Sequence, residues 1–457
     1  MSNKKTNRIL DHLHQQIFLF YFNNCSFTNI IPFEKSIDNF FFIINYHFNN
    51  KEYNDKHFQE HINLLIIRYM QLIVYTRNMF WGMGRRLASY AMLYYLSLYF
   101  PYKASLVIDI IYDNNHASWC DIKYLTQYVA SKSDRNHSII IHLLDKVNNQ
   151  LRSKNPHSHS ICKWIPRETS SQSWIFHKLW KRYKSFDCTM TPKLYRKNFI
   201  SNSITNSNKY PKLKPSLIRP GSLLKNMINI ISLNTFFTDN IEKQIEHLNN
   251  HWKLLEDEIK IMNPQQHNFV VFLDLSDFCD HTFYDMIAWA YLISCSSTVY
   301  KRFFISTTIA NWFNLEHCET LFDAAQKIST IWNQYGKVAC DPKTSINLFQ
   351  QSIFESGIDS SIDNFHFIFA FANNTYNELK IQSLYDTWTF DTNILKKPHF
   401  TFWNFCVNDF ISEIPYDIFS KDISIVSGVY KSTFSDIMSL KNNYKRLNDH
   451  LLGIPIL

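Results

Sequence analysis

Asn268 to His281 reads NFVVFLDLSDFCDH, and the fold of the chain's second half turns on this stretch. Phe269 to Leu273 is an unbroken apolar run that closes on Asp274. A short, wholly apolar run suits a strand buried on both faces of a parallel sheet. Such sheets bind ligands beyond the carboxyl ends of their strands. Asp274, Ser276 and Asp277 fall at that edge. From His281 onward the pattern turns helical, with Phe283, Ile287, Trp289, Ala290, Leu292 and Ile293 sharing a broad face.

Toward the C-terminus the same alternation continues. Further strand candidates are Arg302–Ser306, Phe365–Phe371, His399–Asn404 and Ile423–Ser427. Helical patterns fall between them at Phe283–Ser297, Glu319–Tyr335, Ser345–Ser356 and Tyr376–Tyr385, and Lys431–Leu447 closes the chain. Strands alternating with helices predict a doubly wound α/β domain over residues 266–457.

Toward the N-terminus the reading is helical. Residues 1–55 alternate short apolar helical runs with Asn-rich breaks and read as an accessory helical segment. Residues 56–190 carry helices at His57–Asn78, Arg85–Phe100, Tyr102–Tyr112, Asp121–Ala130 and Ser138–Leu151. Gly82-Met83-Gly84 and Pro101 punctuate them. Paired helices with short breaks predict an α-helical solenoid. Residues 191–265 read as a basic loop, marked by Pro192, Pro211, Pro215 and Pro220, followed by connecting helix from Asn226 to Met262.

The composition narrows the function classes. At 457 residues and 46% hydrophobic, the chain can fill two or three cores. Aromatics reach 16% against 7 Gly, but the abundance of Asn, Lys, Ile, Phe and Tyr points to an AT-rich genome, so aromatic richness alone argues nothing. The run Ile17–Phe22 is too short for a secretory h-region, and Leu87–Phe100 is too short to span a membrane. Nine scattered cysteines without a CxxC fit reduced thiols, so an intracellular setting, cytoplasmic or nuclear, is expected, with a virion as the alternative. Net charge is +8, yet residues 163–225 hold 14 basic against 2 acidic residues, while residues 266–457 carry a net of −7. A basic middle with an acidic back predicts a polyanion partner for one region and no membrane.

Within the basic middle, Phe176 to Phe186 reads FHKLWKRYKSF. Lys178, Lys181, Arg182 and Lys184 interleave with Trp180 and Tyr183, cations for phosphates and rings for exposed bases. The competing reading buries both rings in a solenoid core and leaves a solvated charged face. Lys193, Arg196 and Lys197 extend the basic run. Arg77, Arg85 and Arg86 flank the glycine turn, which reads first as a plain helix–helix turn; the alternative is a turn whose N–H groups face phosphate, with these arginines beside it. His157, His159 and Cys162 lack a fourth ligand for zinc, and Cys279 with His281 lacks an orienting third group. The sequence has no P-loop and no Gly-x-Ser-x-Gly, so no enzyme class is indicated.

Several short motifs carry a family resemblance. Tyr75-Thr76-Arg77-Asn78, Gly82 to Tyr90, Ser118 to Tyr124 and Lys163 to Glu168 occur in this order, followed by Phe402-Trp403-Asn404 and Val426-Ser427-Gly428. Together they resemble an uncharacterised family of plants, fungi and large DNA viruses. It joins a helical module like the TROVE module of the Ro RNA-binding proteins to a von Willebrand A-like domain. The family's Gly-Lys-Gly-Glu-Arg is altered here at Met83 and Arg85. The resemblance implies RNA binding within a ribonucleoprotein, without catalysis; a protein-interaction or structural scaffold, such as a virus particle component, is the alternative. It also implies a metal-ion-dependent adhesion site, where a hard divalent cation such as Mg²⁺ takes oxygen ligands from Asp274, Ser276, residue 278, Thr344 and an acidic residue after the strand near 370. Phe278 cannot ligate and Asn373 is neutral, so the expected site is degenerate and empty of cofactor, unless Asp277 substitutes.

Overall fold

In the computed structural model of the chain, the described residues are 2–22, 30–49, 56–78, 83–114, 117–152, 161, 164–166, 169–183, 219–232, 239–275, 280–306, 311–335, 342–356, 365–371, 399–405, 423–428, 431–438, 440, 447, 451, 452 and 454. They form two compact units, one from residues 2–183 with the tail at 451–454, the other from residues 219–447.

The first unit is helical: α1 (Ser2–Phe22), α2 (Ile31–Asn49), α3 (Lys56–Arg77), α4 (Arg86–Tyr99), α5 (Pro101–Asp113), α6 (Asp121–Lys132), α7 (Ser138–Arg152) and α8 (Ser173–Tyr183). The first two helices are longer than the short runs expected, and they build core. Phe20 of α1 and Phe40 and Phe41 of α2 pack their ring edges or faces on Tyr69 of α3, with centroids 4.9–6.0 Å apart. The Tyr69 hydroxyl reaches over to donate to the Met92 carbonyl of α4, 3.1 Å away. Pro101 opens α5, where its fixed φ suits a first helical turn and its missing N–H is not needed. From there α5 packs on α7, α6 on α7 and α7 on α8.

The second unit is α/β. Its strands are β1 (Asn268–Asp274), β2 (Phe303–Ser306), β3 (Asn311–Asn314), β4 (Phe365–Phe371), β5 (His399–Asn404) and β6 (Ile423–Ser427), in spatial order β3-β2-β1-β4-β5-β6. All neighbours are parallel except the antiparallel edge strand β3. Its helices are α9 (Pro220–Ser232), α10 (Asp239–Met262), α11 (Asp280–Cys295), α12 (Leu321–Tyr335), α13 (Pro342–Ser356) and α14 (Lys431–Met438). The expected helix at Tyr376–Tyr385 lies outside the described residues.

Period-2 alternation sorts the strand residues onto two cores. Phe269, Val271, Leu273, Ile368, Ala370 and Trp403 face the core with α9, α10, α11 and α12. Phe272, Phe367, Phe369, Phe400 and Phe402 face the other, with Ile346 and Phe349 of α13. On that second face, phenylalanines stack across neighbouring strands: Phe272 on Phe369 at 4.7 Å, and Phe369 on Phe402 at 5.5 Å. The helices at 220–262 are therefore not a connector. Leu223, Leu224, Met227, Trp252 and Leu255 are buried in the first of these cores. Gly221 lets α9 lie against α11, since a Cβ there would stand 2.0 Å from Asp285 Oδ1 and 2.7 Å from its Cα.

Candidate nucleic-acid interface

The motifs at 75–78 and 118–124 and the described residues 83–90 of the glycine motif sit at helix ends, and the structure brings them together inside the helical unit. Arg77, at the end of α3, is only 2% exposed. Its Nε donates to Asp121 Oδ2 at 2.7 Å and its Nη2 to Asp121 Oδ1 at 2.8 Å. Tyr90 of α4 donates to Oδ1 at 2.5 Å, and Tyr112 of α5 to Oδ2 at 2.7 Å. Asp121, buried in the first turn of α6, thus accepts four strong hydrogen bonds from three other helices. Its charge also faces the positive end of the α6 dipole. Burial alone would disfavour the guanidinium's charge, but the adjacent Asp121 outweighs it and holds Arg77 firmly protonated. Burial, then the Asp121 carboxylate, push both tyrosines far up. Arg77 is accordingly not a phosphate ligand. Its positive charge is neutralised within the fold.

The glycine turn is a helix–helix clasp over its described residues. Met83 N donates to Tyr75 O at 3.0 Å, Gly84 N to Asn78 O at 2.8 Å and Arg85 N to Thr76 O at 2.7 Å. These amides satisfy the last carbonyls of α3, which would otherwise lack partners, and so do not face a ligand. Gly84 sits at φ 64°, in the left-handed region that glycine tolerates best. Arg85 is half-buried and Arg86 exposed.

Outside this cluster, a row of three cations set over rings runs beside α6, which itself supplies Lys123 and Tyr124. Arg86 lies 5.7 Å from the centre of the Tyr124 ring. Lys123 lies 5.9 Å from Trp164, and Arg135 lies 5.2 Å from Trp174 on α8. Gln172 donates to Gln127 between the last two pairs at 2.5 Å. Lys178 joins the end of the row by donating to the Arg135 carbonyl and to Asn136 Oδ1. Arg86 and Arg135 are exposed and make no ion pair with a carboxylate among the described residues, whereas Lys132 is held by Glu34 and Lys146 by Asp109 and Asp113. The nearest acid in sequence to the row is Asp134, whose Oδ1 accepts the Asn136 N–H. α8 turns Ile175, Phe176 and Leu179 into the core, which leaves Trp174 and Lys178 half-buried at the rim.

Of the expected cationic residues, Arg86 and Lys178 therefore lie on or beside this row, and Arg77 does not. Lys181 and Arg182 belong to α8, whose last side chains are not described. Lys184, Lys193, Arg196 and Lys197 lie outside the described residues. Lys123, Arg135, Tyr124, Trp164 and Trp174 escape a sequence reading that follows charge runs, because each is an isolated cation or ring brought to its partner by packing.

At the carboxyl edge of the sheet, Asp274 is the last residue of β1 and is half-buried, next to the fully buried Leu275. This lies where strand order reverses between β1 and β4, the crevice where open α/β sheets take ligands. Thr344 is exposed in the first turn of α13, while its neighbour Ser345 is fully buried. Ser276, Asp277, Phe278 and the pair Ala372-Asn373 lie outside the described residues. No group of three His, Cys, Asp or Glu side chains among the described residues could hold a metal ion.

No protein-family profile matches the chain, and no curated protein matches it. Among solved structures, the crystal structure of the Deinococcus radiodurans Ro (RSR) protein is similar at 9% identity, covering 96% of this chain and 90% of that one, with a TM-score of 0.29. A superposition that loose carries no argument.

Proposed function

We propose that the chain is a non-enzymatic, RNA-binding component of a ribonucleoprotein. In this reading the helical unit, a TROVE-like repeat module, holds the RNA. The α/β unit is a von Willebrand A-like domain whose cation site has decayed and which is free to hold other proteins. The observation that carries the proposal is the row of cations on rings along α6, continued in sequence by the basic stretch of residues 163–225. Exposed arginines without carboxylate partners are the groups that exchange counterions for phosphates. The motif resemblance points the same way. The setting is intracellular or within a virion.

The test is nucleic acid that copurifies with the full chain, seen as a raised 260/280 nm ratio and removed by ribonuclease. Changing Lys181, Arg182 and Lys184 together to Gln lowers RNA affinity and flattens its salt slope by up to about three phosphate contacts. A chain that binds no RNA at low salt overturns the proposal. A protein-scaffold reading has one observation of its own. Phe42 and Tyr46, one turn apart on α2, are 62% and 56% exposed and suit a protein partner.

A further inference from the structure

We infer that the α6 row is a stacking platform for unpaired bases, so that the nucleic acid it holds is single-stranded. The inference rests on the RNA-binding reading and adds the substrate class. Phosphate binding alone calls for cations and has no use for rings. Here each of three cations is set against a ring: Arg86 with Tyr124, Lys123 with Trp164, Arg135 with Trp174. Tyr124 is 45% exposed and the two tryptophans are half-buried at the rim. A planar guanidinium is itself a surface on which a base can stack, as well as a phosphate ligand.

The spacing fits a strand laid along the helix. From Lys123 to its C-terminal end α6 runs roughly 14 Å at ~1.5 Å per residue, and Arg135 lies just past that end. Arg86 from α4 extends the row at one end, and Trp174 and Lys178 from α8 extend it at the other. In an RNA duplex the base faces are stacked on one another and closed to side chains; in a single strand they are open. Rings at intervals among cations therefore favour the single strand, and stacking is tolerant of sequence because every base has a π-face.

The experiment uses the full chain with a labelled uridine-rich 20-mer and a duplex of the same length. The expected result is a single strand bound at least about 10-fold tighter than the duplex. Trp174→Leu, Trp164→Leu and Tyr124→Leu each lose about 10-fold on the single strand with an unchanged salt slope. Trp174→Phe retains most of the affinity, because it retains a ring. Arg86→Gln and Arg135→Gln each flatten the slope by about one contact. A 2-aminopurine placed in the strand is quenched on binding to the unaltered chain, a readout that needs no variant. Duplex bound as tightly as single strand, or no quenching, overturns the platform while RNA binding stands. So does full affinity in the folded leucine variants. Failure to bind either RNA instead removes the general reading.

Discussion

The two units solve the same packing problem with opposite chemistry. The helical unit ties four helices together through one buried carboxylate, with Arg77, Tyr90 and Tyr112 all converging on Asp121. The α/β unit ties its strands together through phenylalanines that stack from β1 to β4 to β5. Backbone hydrogen bonds already fix the position of a strand in a sheet, so side chains need only fill space. Helices carry no such cross-links, and apolar faces alone let them slide. A charge with four directional partners admits one arrangement.

The largest expected effect follows from that contrast. Asp121→Ala strands a buried guanidinium and two buried hydroxyls, and removing one partner of a buried ion pair costs about 3–5 kcal/mol. Phe369→Leu keeps an apolar side chain in the sheet core and costs about 1–2 kcal/mol. Amide hydrogen exchange read unit by unit checks both. Asp121→Ala raises exchange across α3 to α6 and leaves β1 to β6 protected. Equal costs for the two substitutions, or exchange rising in the strands with Asp121→Ala, breaks the comparison.

Acid gives a smaller effect. His366 of β4 is pushed down to about 3, by burial first and then by His267 and His399. It donates to or accepts from His267 Nδ1 at 3.2 Å. In the helical unit, burial and then Arg68 push His14 down to about 4. Both are neutral in the fold where the unfolded chain, at the ordinary value of 6.5, takes a proton. The stability they contribute is whole above pH 6.5 and falls as pH drops toward each folded value. His366 alone accounts for a loss of about 2 kcal/mol in the α/β unit between pH 6.5 and 4.5. Urea unfolding across that window measures it, and His366→Phe flattens the slope. A slope unchanged by the substitution places the titrating group elsewhere.

The smallest effect expected is none. With Phe278 and Asn373 at positions where the resembled family supplies a hydroxyl and a carboxylate, EDTA leaves the melting temperature of the chain unmoved. A cation that bound only the folded form would raise it by mass action. Phe278→Ser with Asn373→Asp restores a Mg²⁺-dependent rise if the loops keep the family's geometry. A folded double variant indifferent to Mg²⁺ and Mn²⁺ shows that these loops are wrongly aligned.

The sheet was legible because burial on both faces makes its parallel strands rich in apolar residues: β1 holds an unbroken run, and β4, β5 and β6 are each broken within by a single polar residue, His366, Thr401 and Ser424. β3 was not legible. It pairs at the edge through Trp312 and Phe313 between two asparagines, too short for any period to emerge. Helices α3 to α7 were legible from their apolar spacing. The destination of Arg77 was not, since an arginine near a glycine turn looks like a phosphate ligand. A signal was nonetheless present: Arg77 follows Ile73 by four residues and Tyr69 by eight, on the face that α3 buries. The α6 row was invisible for another reason. Trp164 and Trp174 reach Lys123 and Arg135 across gaps of about forty residues, and no local pattern encodes such a meeting.

The clasp between α3 and α4 makes its bonds with main-chain amides, atoms that nearly every residue supplies. Among its described residues only Gly84 is asked for something particular, a backbone at φ 64°. Met83 is buried and Arg85 half-buried, and both enter the clasp through their main-chain amides. A joint of this kind is forgiving of spelling. Two chains can keep the same bend between the same two helices and share one letter of it, so the architecture can persist long after the wording that first specified it has drifted away.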